Sequence, residues 1–128
     1  MPGRRPGASI LIVDDEPEVA LLLAEILEED DHRVDTADNG AAALDKLRDG
    51  HYDLIISDLK MPQLDGPGLY REISRRHPEM IRRMVFVTGD TLGPDSADFL
   101  RKSAAPTFGK PFEPDDVRRV IDQVLRVG

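Results

Sequence analysis

Residues 9–15 read SILIVDD, an apolar, β-branched run from Ser9 to Val13 that stops on two adjacent acids, Asp14 and Asp15. The run has no polar alternation, so it reads as a strand covered on both faces, as in a parallel sheet. Three more short runs end in the same manner: Leu54 to Ser57 leads into Asp58, Met84 to Val87 into Thr88, and Thr107 to Gly109 into Lys110. Placed at the carboxyl edge of one parallel sheet, these ends would gather three carboxylates, a hydroxyl and an ammonium group. That edge is where open α/β sheets hold their ligands.

The intervening segments read as helices. Pro17 suits a first helical turn, and Val19, Leu22, Leu23, Ile26 and Leu27 follow the spacing of one apolar face. Val34 to Ala37 predicts a second strand, and Ala41 to Arg48 a helix presenting Leu44 and Leu47, with Gly50 as its stop. Strand three is expected at 53–57 and a helix at 67–76 with Leu69 and Ile73 inward. Strand four is expected at 83–87, a short helix at 95–103 and strand five at 105–109. A last helix at 113–127 carries Val117, Val120, Ile121, Val124 and Leu125 on one face. Five alternating strand and helix pairs imply a doubly wound α/β fold with right-handed crossovers.

The chain has 128 residues, no cysteine and a formal charge of −8. That length fits one domain, without a disulfide framework or thiolate metal site. The acidic balance disfavours direct nucleic-acid binding. Arg4 and Arg5 precede no apolar segment long enough for a signal peptide, and no membrane span is expected, so a cytoplasmic location is the default. Residues 1–8 are expected to be a disordered tail and 9–128 the domain.

Each candidate has an ordinary reading. Asp14 and Asp15 suit a helix cap, Thr88 an unremarkable strand position and Lys110 a surface charge. His32, His51 and His77 are assigned to the surface. Together, however, Asp14, Asp15 and Asp58 offer oxygen ligands to a hard cation, and Mg²⁺ suits few carboxylates plus a phosphate oxygen. A carboxylate attacking phosphorus at Asp58 needs donors around the transferring group, and Thr88 and Lys110 are donors of the required kinds.

The acid pair, the DLKMPQLDG phrase from Asp58, Thr88 followed by Gly89, and Lys110 followed by Pro111 occur in order across residues 9–127. In these the chain resembles the receiver domain of bacterial two-component response regulators. The resemblance implies a flavodoxin-like five-stranded parallel sheet of order 2-1-3-4-5. It also implies that Asp58 takes phosphate from a partner's phosphohistidine, with Mg²⁺ held by Asp15, Asp58 and the carbonyl of Lys60 while Asp14 binds a coordinated water. Lys110 would pair with Asp58 and then with the phosphoryl group, the Thr88 hydroxyl would move inward, and the Lys110–Pro111 peptide would be cis. Autodephosphorylation would be slow, with Lys60 and Asp90 overhanging the mouth through which water attacks.

One departure is Thr107, where the family usually has Tyr or Phe; output would instead run through the backbone around Gly89 to Pro94 and the short fourth helix. The implied partners are a histidine kinase or histidine phosphotransfer domain and a downstream protein target, with a dimer formed on phosphorylation. FVTGD and TFGKPF are similar to receivers fused to hybrid histidine kinases, so a stand-alone regulator and an excised module both stay open. Two other classes compete: a haloacid-dehalogenase-like aspartyl-phosphate phosphatase, disfavoured because Asp14, Asp15 and Glu16 make no DxD phrase, and a phosphorylation-independent interaction module.

Overall fold

The computed structural model describes residues 7–61, 63–89 and 93–127. Five strands form one all-parallel sheet: β1 (Ser9–Val13), β2 (Arg33–Ala37), β3 (Leu54–Asp58), β4 (Met84–Thr88) and β5 (Thr107–Gly109). Their spatial order is β2-β1-β3-β4-β5, as expected. The helices are α1 (Pro17–Glu29), α2 (Gly40–Asp49), α3 (Gly66–Arg76), α4 (Pro94–Ser103) and α5 (Pro114–Val127). A 3-10 helix over Pro78–Arg83, which no periodicity in the sequence announces, precedes β4.

Successive strand residues point to opposite faces, and the core divides accordingly. Ile10, Ile12, Leu54, Ile56, Val85, Val87 and Phe108 face α1 and α5, packing on Leu23, Leu27, Val117 and Ile121. Leu11, Val13, Ile55, Met84 and Phe86 face the other side, against Ala43, Leu47, Leu69 and Ile73. All five residues of β3 are buried, so the strand that carries Asp58 is the best enclosed of the sheet.

Several boundaries differ from expectation. β3 and β4 each begin and end one residue later, making Asp58 and Thr88 the last residues of their strands. β5 is shorter than 105–109 because Ala104 closes α4 in the left-handed region at φ 55° and Pro106, lacking an N–H, offers only its carbonyl to Phe86 N, 3.0 Å away. Leu22 does not join the buried face of α1: Ala20, Leu23, Ile26 and Leu27 are buried, whereas Leu21 and Leu22 are 61% and 47% exposed. The buried stripe is centred on Leu23, and Leu22, about 100° around a helix of 3.6 residues per turn, falls outside it. His32 is half-buried, its Nδ1 accepting from Ala8 N at 3.0 Å, and Ala8 itself is buried; residues 1–6 of the expected tail lie outside the described residues.

The loop after β3 is fixed by close backbone approach. Gly66 N donates to Leu59 O at 2.9 Å, and the Asp65 side chain caps α3 by accepting from Gly68 N at 2.9 Å. A Cβ at Gly66 would lie 2.8 Å from the carbonyl oxygen of Asp58 and 2.9 Å from Leu59 Cα, both backbone atoms that have no freedom to retreat. Gly66→Ala should therefore cost about 1–3 kcal/mol of stability, read as a lowered urea midpoint; an unchanged midpoint would contradict this packing.

Candidate functional site

At the carboxyl edge of the sheet, Asp14 follows β1, Asp58 ends β3 and Lys110 follows β5. Asp14 is buried, its backbone N donates to Ala37 O at 3.0 Å, and its Oδ1 accepts from Glu16 N at 2.9 Å. Asp58 is also buried, with 11% of its side chain exposed. Lys110 Nζ lies 3.2 Å from Asp58 Oδ2, 3.5 Å from Asp14 Oδ2 and 2.7 Å from Glu16 Oε1. One ammonium group thus faces three carboxylates, a local excess of negative charge in a poorly solvated place.

Carboxylate oxygens of Asp14, Glu16 and Asp58 lie within 4.8 Å of one another. Asp14 Oδ2 is buried and accepts no hydrogen bond. A hard cation would satisfy that oxygen and relieve the repulsion among the three acids, and neither His nor Cys joins the group among the described residues.

The electrostatics follow from this crowding. Burial, and after it the neighbouring Asp58 charge, push the Asp14 carboxyl up, against the opposing pull of the Glu16 N–H and Lys110. Burial also disfavours the Lys110 ammonium, but the Glu16 hydrogen bond and the charges of Asp14 and Asp58 outweigh it and raise its pKa.

An open cleft of about 360 Å³ lies over this cluster, lined by Asp15, Glu16, Asp58, Lys60, Gly89 and Lys110 among others. Lys60 and Gly89 are exposed on its walls, and a Cβ on Gly89 would meet nothing within 4 Å. A larger concavity of about 660 Å³, lined by His51, Asp53 and Glu79 among others, opens at the opposite, amino-terminal edge of the sheet. It lacks the convergent acids and lysine, and chemistry rather than size identifies the site.

Among the expected residues, Asp15 lines the cleft, yet its carboxylate is not in the tight acidic group; Glu16 is there in its place. Thr88 is half-buried, its carbonyl accepting from Lys110 N at 2.7 Å, and does not itself line the cleft. Thr107 is exposed and pairs in register with Phe86. The Lys110–Pro111 peptide is cis, as the resemblance implied. The expected partnership of Lys60 with Asp90 lies outside the described residues, as do Pro62, Thr91 and Leu92. Sequence reasoning missed Glu16 and Ser96, both of which line the cleft. Glu16 was legible as the third acid of the DDE triplet, whereas nothing in the sequence distinguished Ser96.

The fold and this cleft define a doubly wound α/β domain with an acidic, lysine-bearing crevice at the carboxyl edge of its sheet, and comparison with known proteins names the family. The family model for the response regulator receiver domain matches residues 10–122. The response regulator receiver protein CpdR of Brucella abortus is 32% identical over 119 residues, covering 91% of this chain and 95% of that protein. The transcriptional regulatory protein GlrR of Escherichia coli is 33% identical over 118 residues, covering 92% of this chain and 26% of its own length. The aerobic respiration control sensor protein ArcB of E. coli is 30% identical over 108 residues, with 84% of this chain and 14% of that protein covered. The crystal structure of the receiver domain of NtrX from Brucella abortus superposes with a TM-score of 0.84 at 30% identity, covering 93% of this chain and 99% of that one. The chain belongs to the response regulator receiver family and is a signalling domain of two-component phosphorelays. It spans about a quarter of GlrR and less of ArcB, while it matches nearly the whole of CpdR.

The charge balance has measurable consequences. Because its folded pKa is raised, Asp14 contributes stability below the ordinary carboxylate range, and that contribution is lost as pH rises through the raised value. In chelator-treated buffer at about pH 7, Asp14→Asn should melt above the wild type and lose the advantage near pH 3. Lys110→Ala should do the reverse at neutral pH, costing about 1–3 kcal/mol by leaving three acids uncompensated. Equal melting temperatures for all three proteins would refute the assigned balance.

Proposed function

We propose that Asp58 is the phosphoacceptor and that the cleft above it receives phosphate from a phosphohistidine of a histidine kinase or histidine phosphotransfer domain. The single observation that carries this reading is the placement of Asp58 Oδ2 3.2 Å from Lys110 Nζ at the mouth of the acidic cleft. An Asp58 oxygen forms the new bond to phosphorus as the bond from phosphorus to the donor imidazole nitrogen breaks, and the electron pair leaves with that imidazole. Charge accumulates on the equatorial oxygens, and catalysis amounts to positioning and stabilising it.

Lys110 is the nearest cation and passes from Asp58 to a phosphoryl oxygen. Thr88, which ends β4 beside exposed Gly89, supplies a hydroxyl as its segment adjusts. Asp14, Asp15, Asp58 and the Lys60 carbonyl would hold Mg²⁺, with Glu16 close enough to Asp14 and Asp58 to join the donor set. Bound Mg²⁺ supplies positive charge to the phosphoryl oxygens. The reading is supported by the orphaned Asp14 oxygen and the oxygen-only donor set.

Lys60, exposed on the cleft wall, shields the phosphoryl group from attacking water and slows hydrolysis, which makes the domain a signalling device with its own slow autodephosphorylation. Thr107 is too short to report the phosphorylated state, so output passes through Gly89 to α4 and then to a downstream protein or a phosphorylated dimer. A cytoplasmic setting fits such an exchange, and among the described residues no helix is long and apolar enough to cross a membrane. The sensor protein ArcB and the sensor kinase CckA each carry a segment similar to this chain. A module of a hybrid kinase and a stand-alone regulator are both compatible with this site.

Incubation with acetyl phosphate and Mg²⁺, read by intact-protein mass spectrometry, should add one phosphoryl group to the wild type and none to Asp58→Asn. Equal phosphorylation of the variant, or none of the wild type, would overturn the assignment.

A further inference from the structure

The charges of this chain are segregated along the sequence and in space. Residues 14–31 hold nine acids and neither Lys nor Arg, whereas residues 66–83 hold five Arg and two Glu. α1, which the first stretch forms, packs on one face of the sheet; α3, within the second, packs on the other. Each face carries an apolar feature that the fold leaves uncovered.

On α1, Glu18, Leu21, Leu22 and Glu25 are all exposed, and they recur at i, i+3, i+4 and i+7. They form one outward ridge, two leucines bracketed by acids roughly 10 Å apart along the axis. Arg118 of α5 engages Glu29 and Asp30 at 3.0 and 3.1 Å, but Glu18 and Glu25 have no ion-pair partner among the described residues.

Between α3 and α4 runs a groove of about 370 Å³. Tyr70 and Phe99 line it, edge to face with ring centroids 5.3 Å apart, and Phe99 stands edge-on against buried Phe86 at 5.2 Å. Arg71, Arg75 and Lys102 supply its charge. Arg75 is held by Glu72 at 2.9 Å and Lys102 by Asp98 at 3.1 Å, whereas Arg71 has no acid partner among the described residues.

We infer that the α1 ridge of one chain docks in the α3–α4 groove of a second copy. The leucines would meet the two rings, and Glu18 and Glu25 would meet Arg71 and Lys102, as an amphipathic helix enters an apolar groove with a charged rim. Because ridge and groove lie on opposite faces of the sheet, the contact is heterologous and leaves a free ridge at one end and a free groove at the other. Association is head to tail and propagates with concentration. The overall charge of −8 does not forbid it, since at moderate salt each charge feels neighbours within a Debye length of about 10 Å rather than the whole molecule.

The contact is small, so the dissociation constant should fall on the order of 0.1–1 mM. Sedimentation velocity of the full chain from about 50 µM to about 1 mM should show a rising weight-average coefficient in about 20 mM salt, suppressed in about 500 mM. Leu22→Asp removes the ridge and keeps the groove; Arg71→Glu does the opposite, and both positions are exposed, so neither change disturbs the core. Each variant alone should stay monomeric, while an equimolar mixture should form a one-to-one dimer that grows no further. In that mixture, ¹⁵N-labelled Leu22→Asp should show amide shifts at Tyr70, Phe99 and Lys102. A wild type that remains monomeric at about 1 mM in low salt, a variant that associates as the wild type does, or a mixture that stays monomeric would each overturn the inference.

Discussion

The cleft is organised around a single shared counterion: Lys110 reaches Asp14, Glu16 and Asp58, which come from the ends of β1 and β3, neither of which β5 pairs with. Three carboxylates with one ammonium group form an unbalanced set. Burial raises the cost of that imbalance at Asp14, whose second oxygen makes no hydrogen bond and has only the Lys110 ammonium 3.5 Å away. The fold tolerates it because β1, β3 and β4 are packed on both sides by helices, so strand ends cannot splay to separate the charges. Stability given up at this edge leaves an excess of negative charge that a bound cation would relieve.

Parallel register turns this local arrangement into a device. Ser57 pairs with Val13 and with Phe86, and Asp58 with Val87, so the ends of β1, β3 and β4 are level to within a residue. Asp14 and Asp58, at the ends of β1 and β3, are thereby brought within reach of one another at a single crevice. Gly66, pressed against the Asp58 carbonyl, and Asp65, capping α3, keep the following loop folded back under the cleft. The geometry of the edge therefore depends as much on a backbone contact behind Asp58 as on the charges in front of it.

Strand ends were legible because apolar runs stop abruptly at Asp14, Asp58 and Thr88, and burial on both faces disfavours charge before that point; the one buried polar residue there, Ser57, donates its hydroxyl to Asp58 O. The turn glycines and the helix beginning at Pro17 were legible for similar local reasons. What the sequence hid depends on rotation and on loops. Leu21 and Leu22 are indistinguishable by type from Leu23, yet only the last faces the sheet. Glu16 follows two acids and approaches Lys110 only because the β1–α1 loop turns back toward β5, a relation across 94 residues. β5 lost two residues to a left-handed Ala104 and to Pro106, a tertiary outcome in a stretch with little periodicity of its own. Membership of the receiver family supplies the context in which these residues make sense, but the packing of this chain decides which of them meet.

The central claim, that an uncompensated acidic cluster at the carboxyl edge is a built cation site, is tested most directly by titrating Mg²⁺ into the ¹⁵N-labelled protein. The account predicts saturable amide shifts concentrated at Asp14 to Glu16, Asp58 to Lys60, Gly89 and Lys110, with little change along the acidic outer face of α1. Shifts spread over α1 in proportion to its charge, or no saturable change at Asp58, would contradict it.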